Sequence, residues 1–253
     1  LSLPYVDFGA RMYNPDWGRW FTQDPLAEKY YPWAPYCYCI NNPIKYVDPN
    51  GLDLQLAGTK EEQEMLLAML QRLTNYKLIL HQNGTVTHSI VKTENKNSDY
   101  QAGNTLLEQL CDQSSDTKTT TISITDQKSI THPADENAYN GVGSNAEIRF
   151  NPNENPSLIT QNEISKQVQQ EGRPAYIGLA HELIHGMHIN AGVAKRKSVT
   201  VTPTIQGNGQ KYTYIKPIPL EDAITVGLHG FLTNGPTENS IRKEHNLNVR
   251  LLY

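Results

Sequence analysis

The sequence predicts an α+β protein, and three observations carry that expectation. Apolar residues recur at helical spacing in two windows, 65–73 and 176–187. Strand-like alternation or β-branched runs occupy 78–91, 119–125 and 146–150. The first 52 residues differ from the rest in composition, which predicts two regions, 1–52 and 53–253. The 253 residues, 38% hydrophobic and 19% charged, can bury a core, so wholesale disorder is not expected. A net charge of −4 without a Lys/Arg stripe argues against nucleic-acid binding, which draws on phosphate neutralisation. The apolar runs are far shorter than the roughly 20 residues of a membrane helix. Cys37, Cys39 and Cys111 are odd in number and not in C-x-x-C spacing, so neither a disulfide framework nor a structural zinc site is expected from them. Leu1 at the start, with no charged stretch leading an apolar one, predicts the C-terminal piece of a longer protein.

Residues 1–52 hold all three Trp, seven of fourteen Tyr and two of four Phe, with seven of fifteen Pro. That is too much Pro for helices and too many rings for a flexible linker. Short strands and turns, packing their rings against sequence further upstream, are the expectation. In the second region, Thr59-x-x-Glu62 is a capping box ahead of Met65, Leu66, Met69, Leu70 and Leu73 at helical spacing. Leu78–Leu80, the turn Asn83-Gly84 and Val86–Val91 predict a hairpin. A second helix is expected over Thr105–Cys111 and strands over Thr119–Thr125 and Ala146–Phe150. The last of these is the expected sheet edge along which an extended substrate pairs.

The stretch from Ala175 to His188 has no internal Pro, follows Pro174 and runs out near Gly192, which predicts a helix. It contains His181-Glu182-Leu183-Ile184-His185, the pattern H-E-x-x-H. Residues four apart share a helix face, so both imidazoles can reach one ion at about 2.0–2.1 Å. Glu182, roughly 100° round the helix from His181, is placed to act on a water beside that ion. His188 follows one turn later, with a supporting or packing role expected. A catalytic zinc takes three protein ligands, and with His188 at the Gly position of H-E-x-x-H-x-x-G-x-x-H a carboxylate from a later helix is expected as the third. Glu221 and Asp222 lie 36 and 37 residues beyond His185, in Pro219–Gly227. Both stay open as ligands on spacing alone.

Two resemblances cover most of the chain. Asp7-Phe8-Gly9-Ala10-Arg11-Met12-Tyr13-Asn14-Pro15, Gly18–Pro25, Tyr36-x-Tyr38, Asn42-Pro43 and Asp48-Pro49-Asn50-Gly51-Leu52 resemble the end of the RHS-repeat-associated core. That resemblance implies the closing part of an upstream β-strand shell around a C-terminal toxin. It also implies self-cleavage after Leu52, with Asp24 and Asp48 taking part; Ala27 stands where the RHS family commonly has Gly. His181–His185 with His188, followed by the acidic pair and Thr225-x-Gly227, resemble the clostridial neurotoxin light chains. They resemble the M91 effector peptidases more closely, a resemblance that also takes in Thr237-Glu238-Asn239-x-x-Arg242-x-Glu244 and Arg250-x-x-Tyr253 and covers about residues 145–253.

The second resemblance implies a zincin-like α+β metallopeptidase with Zn²⁺ held by His181, His185 and Asp222. Glu221 stays an alternative, since these families usually have Glu at the position of Asp222. Glu182 would be the general base, and Arg250 and Tyr253 the donors to a developing oxyanion. The implied partners are a protein substrate, a cognate immunity protein and the upstream RHS shell. The implied location is outside the producing cell, or inside a target cell after delivery. The competing expectations are a non-enzymatic RHS-associated binding module and, against the charge balance, a nuclease.

Overall fold

The computed structural model describes residues 6–7, 12–14, 17, 19–20, 54–89, 100–111, 118–201, 204–207, 210–213, 216–228, 230–231 and 234–253. Asp24, Asp48 and Leu52 lie outside the described residues, as do the C-x-C pair and most of the first region. What is described there is a small antiparallel sheet of β1 (Val6–Asp7), β2 (Met12–Asn14) and β3 (Arg19–Trp20).

From Leu54 on, the chain builds a six-stranded mixed sheet and lays helices across it. The elements run β4 (Leu54–Leu56), α1 (Lys60–Leu73), β5 (Lys77–Leu80), β6 (Thr85–Ser89), α2 (Gln101–Cys111), β7 (Thr120–Ile124), β8 (Ile130–Pro133) and β9 (Ala146–Phe150). Strand order is β5-β6-β4-β7-β9-β8, with β4, β7 and β9 mutually parallel and the outer strands antiparallel. The predicted capping box forms: the Thr59 hydroxyl accepts from the Glu62 N–H, and the Glu62 carboxylate accepts from the Thr59 N–H. Leu66, Leu70 and Leu73 of α1 are buried, whereas Met65 faces solvent. The hairpin turn needs a glycine: Gly84 has φ +87°, and a Cβ there would lie 2.3 Å from the Leu56 carbonyl oxygen. Helix α2 starts at Gln101, earlier than the apolar spacing indicates, because its first turn is bound by the Glu244 carboxylate, which accepts from the backbone N–H of Ala102 and Gly103.

One expectation is corrected. Ala146–Phe150 is a strand, with Ala146, Ile148 and Phe150 turned inward, but it is not the sheet edge. Ile130–Pro133 folds back antiparallel along its outer side, pairing Ile130 with Arg149 and Pro133 with Ala146. The edge on this side of the sheet is β8, with β5 at the other. A proline that ends a strand is tolerated there because an edge position does not need its missing N–H.

The remaining elements are β10 (Ser157–Gln161), β11 (Val168–Gly172), α3 (Ala175–Asn190), β12 (Ser198–Val201), β13 (Thr204–Gly207), β14 (Gln210–Thr213), β15 (Lys216–Pro219), α4 (Leu220–Val226), α5 (Glu238–Glu244) and β16 (Val249–Arg250). Helix α3 is central. Every residue from Tyr176 to Asn190 except His185 is buried, as expected of a helix apolar on nearly all sides. It packs on α1, α2, α4 and α5 and on the sheet at β7, β8 and β9. Gly186 permits that approach, since a Cβ would come 3.3 Å from the Thr120 methyl and 3.5 Å from Ile148 Cδ1. The core joins Ile122, Ile148 and Phe150 of the sheet to Ile177, Leu179, Leu183 and Ile184 of α3. None of the described helices is long and apolar enough to cross a membrane.

Ile148 is fully buried beneath α3. Ile148→Ala is expected to destabilise the fold by about 2–5 kcal/mol. Urea unfolding followed by circular dichroism checks this; a loss under about 1 kcal/mol would mean that the helix does not lean on this strand.

Candidate active site

The pattern H-E-x-x-H sits in the middle of α3, where the surrounding helices restrict its side chains. His181 and His185 project from one face, their Nε2 atoms 3.1 Å apart. The His185 Nε2 lies 3.3 Å from Asp222 Oδ1, contributed by the first turn of α4. One ligand atom from each of His181, His185 and Asp222 falls within 4.8 Å of the other two. An ion about 2.0–2.1 Å from two nitrogens in tetrahedral geometry holds them roughly 3.3 Å apart, so the spacing fits a zinc-sized ion.

Hydrogen bonding on the far side of each ring reinforces this fit. His181 Nδ1 is 3.0 Å from Glu238 Oε2, and His185 Nδ1 is 3.4 Å from Glu221 Oε1 and 3.3 Å from Thr225 Oγ1. With each Nδ1 turned outward, the two Nε2 atoms face one another, as they do when imidazoles share a cation. The adjacent acids divide: Asp222 faces the Nε2 atoms, while Glu221 turns the other way. Its Oε1 lies 2.5 Å from His188 Nδ1, and its Oε2 accepts from the Lys195 N–H at 2.7 Å. Glu182, also buried, accepts a 2.7 Å hydrogen bond from Thr131 Oγ1 of the edge strand β8.

Separate pieces of sequence meet to set this geometry. Helix α4 stops at Gly227, whose φ of +74° is left-handed and whose missing Cβ would lie 2.7 Å from Thr237 Oγ1. Thr237 caps α5, so Thr225-x-Gly227 and Thr237-Glu238 are two sides of one contact. Arg250 is carried on β16, which pairs with β10 at Thr160, and its backbone is clasped by Asn239 through hydrogen bonds of 2.6 and 2.9 Å. Tyr253 stacks on His181 with ring centroids 5.9 Å apart, and the Arg250 guanidinium lies 4.8 Å from the centre of the Tyr253 ring. His181, Glu182, His185, Asp222, Arg250 and Tyr253 all line one cleft of about 800 Å³.

Motif chemistry alone assigned no role to Glu238. It is fully buried, and besides His181 it binds Arg250 Nη1 at 2.9 Å and Arg242 Nη1 at 3.5 Å. In the sequence it is one acid among several at a helix start. The available signal was the pair of arginines 4 and 12 residues downstream, which only the fold brings to it.

The electrostatics favour a cation. Burial opposes ionisation of Glu238, but the charge of Arg250 and the hydrogen bond to His181 outweigh it and hold this carboxyl well below the usual range. Burial also opposes ionisation of Glu221, yet hydrogen bonds to His185 and His188 bring it down to about 2. Burial disfavours a charged imidazole, and His181 is shifted down accordingly, with the neighbouring His185 charge adding to the effect. At His185 the hydrogen bonds to Asp222 and Glu221 and the Glu182 charge overcome burial and push the pKa up to about 9. Burial and the Asp222 charge raise the Tyr253 phenol, which therefore stays protonated and able to donate.

Two outcomes follow for the metal-free protein. At pH 7 a divalent cation must displace the His185 proton, so uptake releases a proton, and apparent affinity falls as pH drops below about 9. Calorimetric titration of Zn²⁺ in buffers of different ionisation enthalpy measures this, and heat independent of buffer would contradict it. Glu238→Gln keeps the shape but weakens the hold on His181 Nδ1, and zinc affinity is expected to fall about 10- to 100-fold by competition with a chromogenic chelator. Unchanged affinity would mean that Glu238 serves only the arginines.

Residues 87–253 match the sequence profile of the peptidase family M91, described as an effector protein. Among solved structures, the chain is similar to the zinc-removed botulinum neurotoxin type C light chain, at 18% identity and a TM-score of 0.30, over 50% of this chain and 30% of that one. It is also similar to the serotype HA light chain, at 17% identity and a TM-score of 0.30, over 68% of this chain and 37% of that one. Salivary gland surface protein 1 of Aedes aegypti is 44% identical over 45 residues, 18% of this chain and 1% of that protein. The chain thus spans well under half of each of these proteins. With the profile covering about two thirds of its length, the chain belongs to the M91 family of effector peptidases.

Proposed function

We propose that this M91 peptidase is a zinc-dependent endopeptidase effector that hydrolyses peptide bonds in a protein of the cell it enters. The observation that carries this reading is the convergence of His181 Nε2, His185 Nε2 and Asp222 in a cleft that also holds Glu182. In this proposal His181, His185 and Asp222 are the metal ligands, and Glu221 supports them by binding His185 and His188. Zinc bound there supplies a Lewis acid that polarises the scissile carbonyl and makes water a nucleophile at neutral pH.

The remaining chemistry belongs to the chain's own residues. Glu182, with one oxygen held by Thr131, takes the proton from the attacking water and passes it to the leaving amine. Tyr253, kept protonated, and Arg250, anchored on Glu238, donate to the oxyanion as the carbonyl becomes tetrahedral. An extended substrate pairs along β8, the free sheet edge beside Glu182.

The same proposal divides the chain at Leu52. Residues 1–52 are the end of an RHS core, with Asp24 and Asp48 promoting cleavage after Leu52, and residues 53–253 are the released peptidase domain. The partners are the upstream shell, an immunity protein and a substrate protein in the recipient cell.

Recipient cells producing residues 53–253 are compared with cells producing the Glu182→Gln variant, and new protein N-termini are read by mass spectrometry. The expected result is a restricted set of new termini with the unaltered domain, none with Glu182→Gln, and similar zinc content in both purified proteins. The same termini in both samples, or none in either, would overturn the peptidase reading.

A further inference from the structure

The cleft contains a buried cation that the chemistry above does not use. Arg173 joins β11 to α3 and is 8% exposed, yet it lines the cleft together with Lys128, Glu154, Ser157 and Leu158. Its backbone is fixed: the Arg173 N–H donates to Asn155 Oδ1 at 2.8 Å. The guanidinium lies over the start of α3, where a Cβ on Gly178 would be 3.2 Å from Nε and 3.3 Å from Nη2. Among the described residues this guanidinium makes no hydrogen bond and no ion pair, and its Nε is buried without a partner.

Such an arrangement is costly unless something completes it. A guanidinium carries five donors and stays charged, and a buried Nε without an acceptor forfeits its hydration. Its position worsens the balance, because α3 begins without a side-chain cap and presents its positive end to the same region. Glu154 and Glu238 feel the Arg173 charge, but neither carboxylate is hydrogen-bonded to it. Glu154 accepts from the Ser129 N–H at 2.8 Å, and Glu238 binds His181 and Arg250. The missing partner is an anion that enters through the cleft.

We infer that Arg173 is a specificity-determining residue: it forms a subsite for an oxyanion-bearing side chain of the bound peptide, an Asp or Glu carboxylate or a phosphorylated residue. The planar fork matches either group with two parallel hydrogen bonds, and Lys128, which lines the same cleft, adds positive charge. This inference rests on the peptidase reading for the identity of the ligand as a peptide, but not for the anion site itself.

The test uses Glu182→Gln protein, which binds without cutting, and three pools of randomised dodecapeptides. The pools are identical except that one fixed position carries Gln, Glu or phosphoserine, and that position is scanned along the peptide. At one position, the Glu pool, the phosphoserine pool or both are expected to bind about tenfold or more tighter than the Gln pool. Which pool wins identifies the source of the oxyanion. Adding Arg173→Gln is expected to reduce that ratio to about twofold or less. Adding Arg173→Lys, which retains the charge without the fork, gives an intermediate ratio and serves as the test if the Gln variant fails to fold by circular dichroism. Equal or absent binding of all three pools, or an unchanged ratio after Arg173 is replaced, would overturn the subsite. If acidic pools bind through Arg173 while the parent protein cuts none of them, the subsite stands and the peptidase reading falls.

Discussion

A fully buried and a half-buried carboxylate turn two imidazoles toward one point, and the rest of the site is arranged around that constraint. Glu238 holds His181 by Nδ1 and Glu221 approaches His185 by Nδ1, which leaves both Nε2 atoms facing Asp222. Neither acid belongs to the helix that carries the histidines. They arrive on α5 and α4, which meet where Gly227 closes on the Thr237 cap. An ionised acid buried as fully as Glu238 persists only because Arg250 and Arg242 offset the lost hydration. The C-terminal strand that brings Arg250 is therefore tied to the orientation of His181, although 69 residues separate the two in sequence.

Concentration of negative charge gives this geometry its chemical direction. Glu182, Glu221, Asp222 and Glu238 surround two rings that with an ordinary pKa are mostly neutral at pH 7, and without a metal the surplus draws a proton onto His185. A divalent cation satisfies the same surplus with better geometry. The opposite imbalance occurs in the same cleft, where Arg173 Nε is buried without an acceptor. In the proposed reading one cleft thus takes both a cation and an oxyanion.

What the sequence disclosed follows from how local each signal is. The capping box at Thr59, the Asn83-Gly84 turn and the helix of H-E-x-x-H are set by residues a few positions apart, and the structure contains all three. The spacing of Glu221 and Asp222 was legible, but not which of them faces the histidines, because adjacent residues on a helix differ by about 100° and only the docking of α4 fixes the choice. Sheet order was less accessible. Ile130–Pro133 is four residues long, ends in proline and has no buried side chain, so it carries little strand signal, and the sequence points to Ala146–Phe150 as the edge in its place. Arg173 was silent for a related reason: an arginine before a helix looks like any solvated charge until the fold buries it.

X-ray absorption at the zinc edge tests the metal centre most directly. Two imidazole nitrogens and a carboxylate oxygen at about 2.0–2.1 Å, in a four-coordinate environment without sulfur, are expected for the zinc-loaded protein. Asp222→Ala should change that spectrum, while Glu221→Ala should leave the coordinating atoms the same. Sulfur scattering, a single imidazole, or a spectrum insensitive to loss of His181 and Asp222 would show that these side chains do not hold the ion.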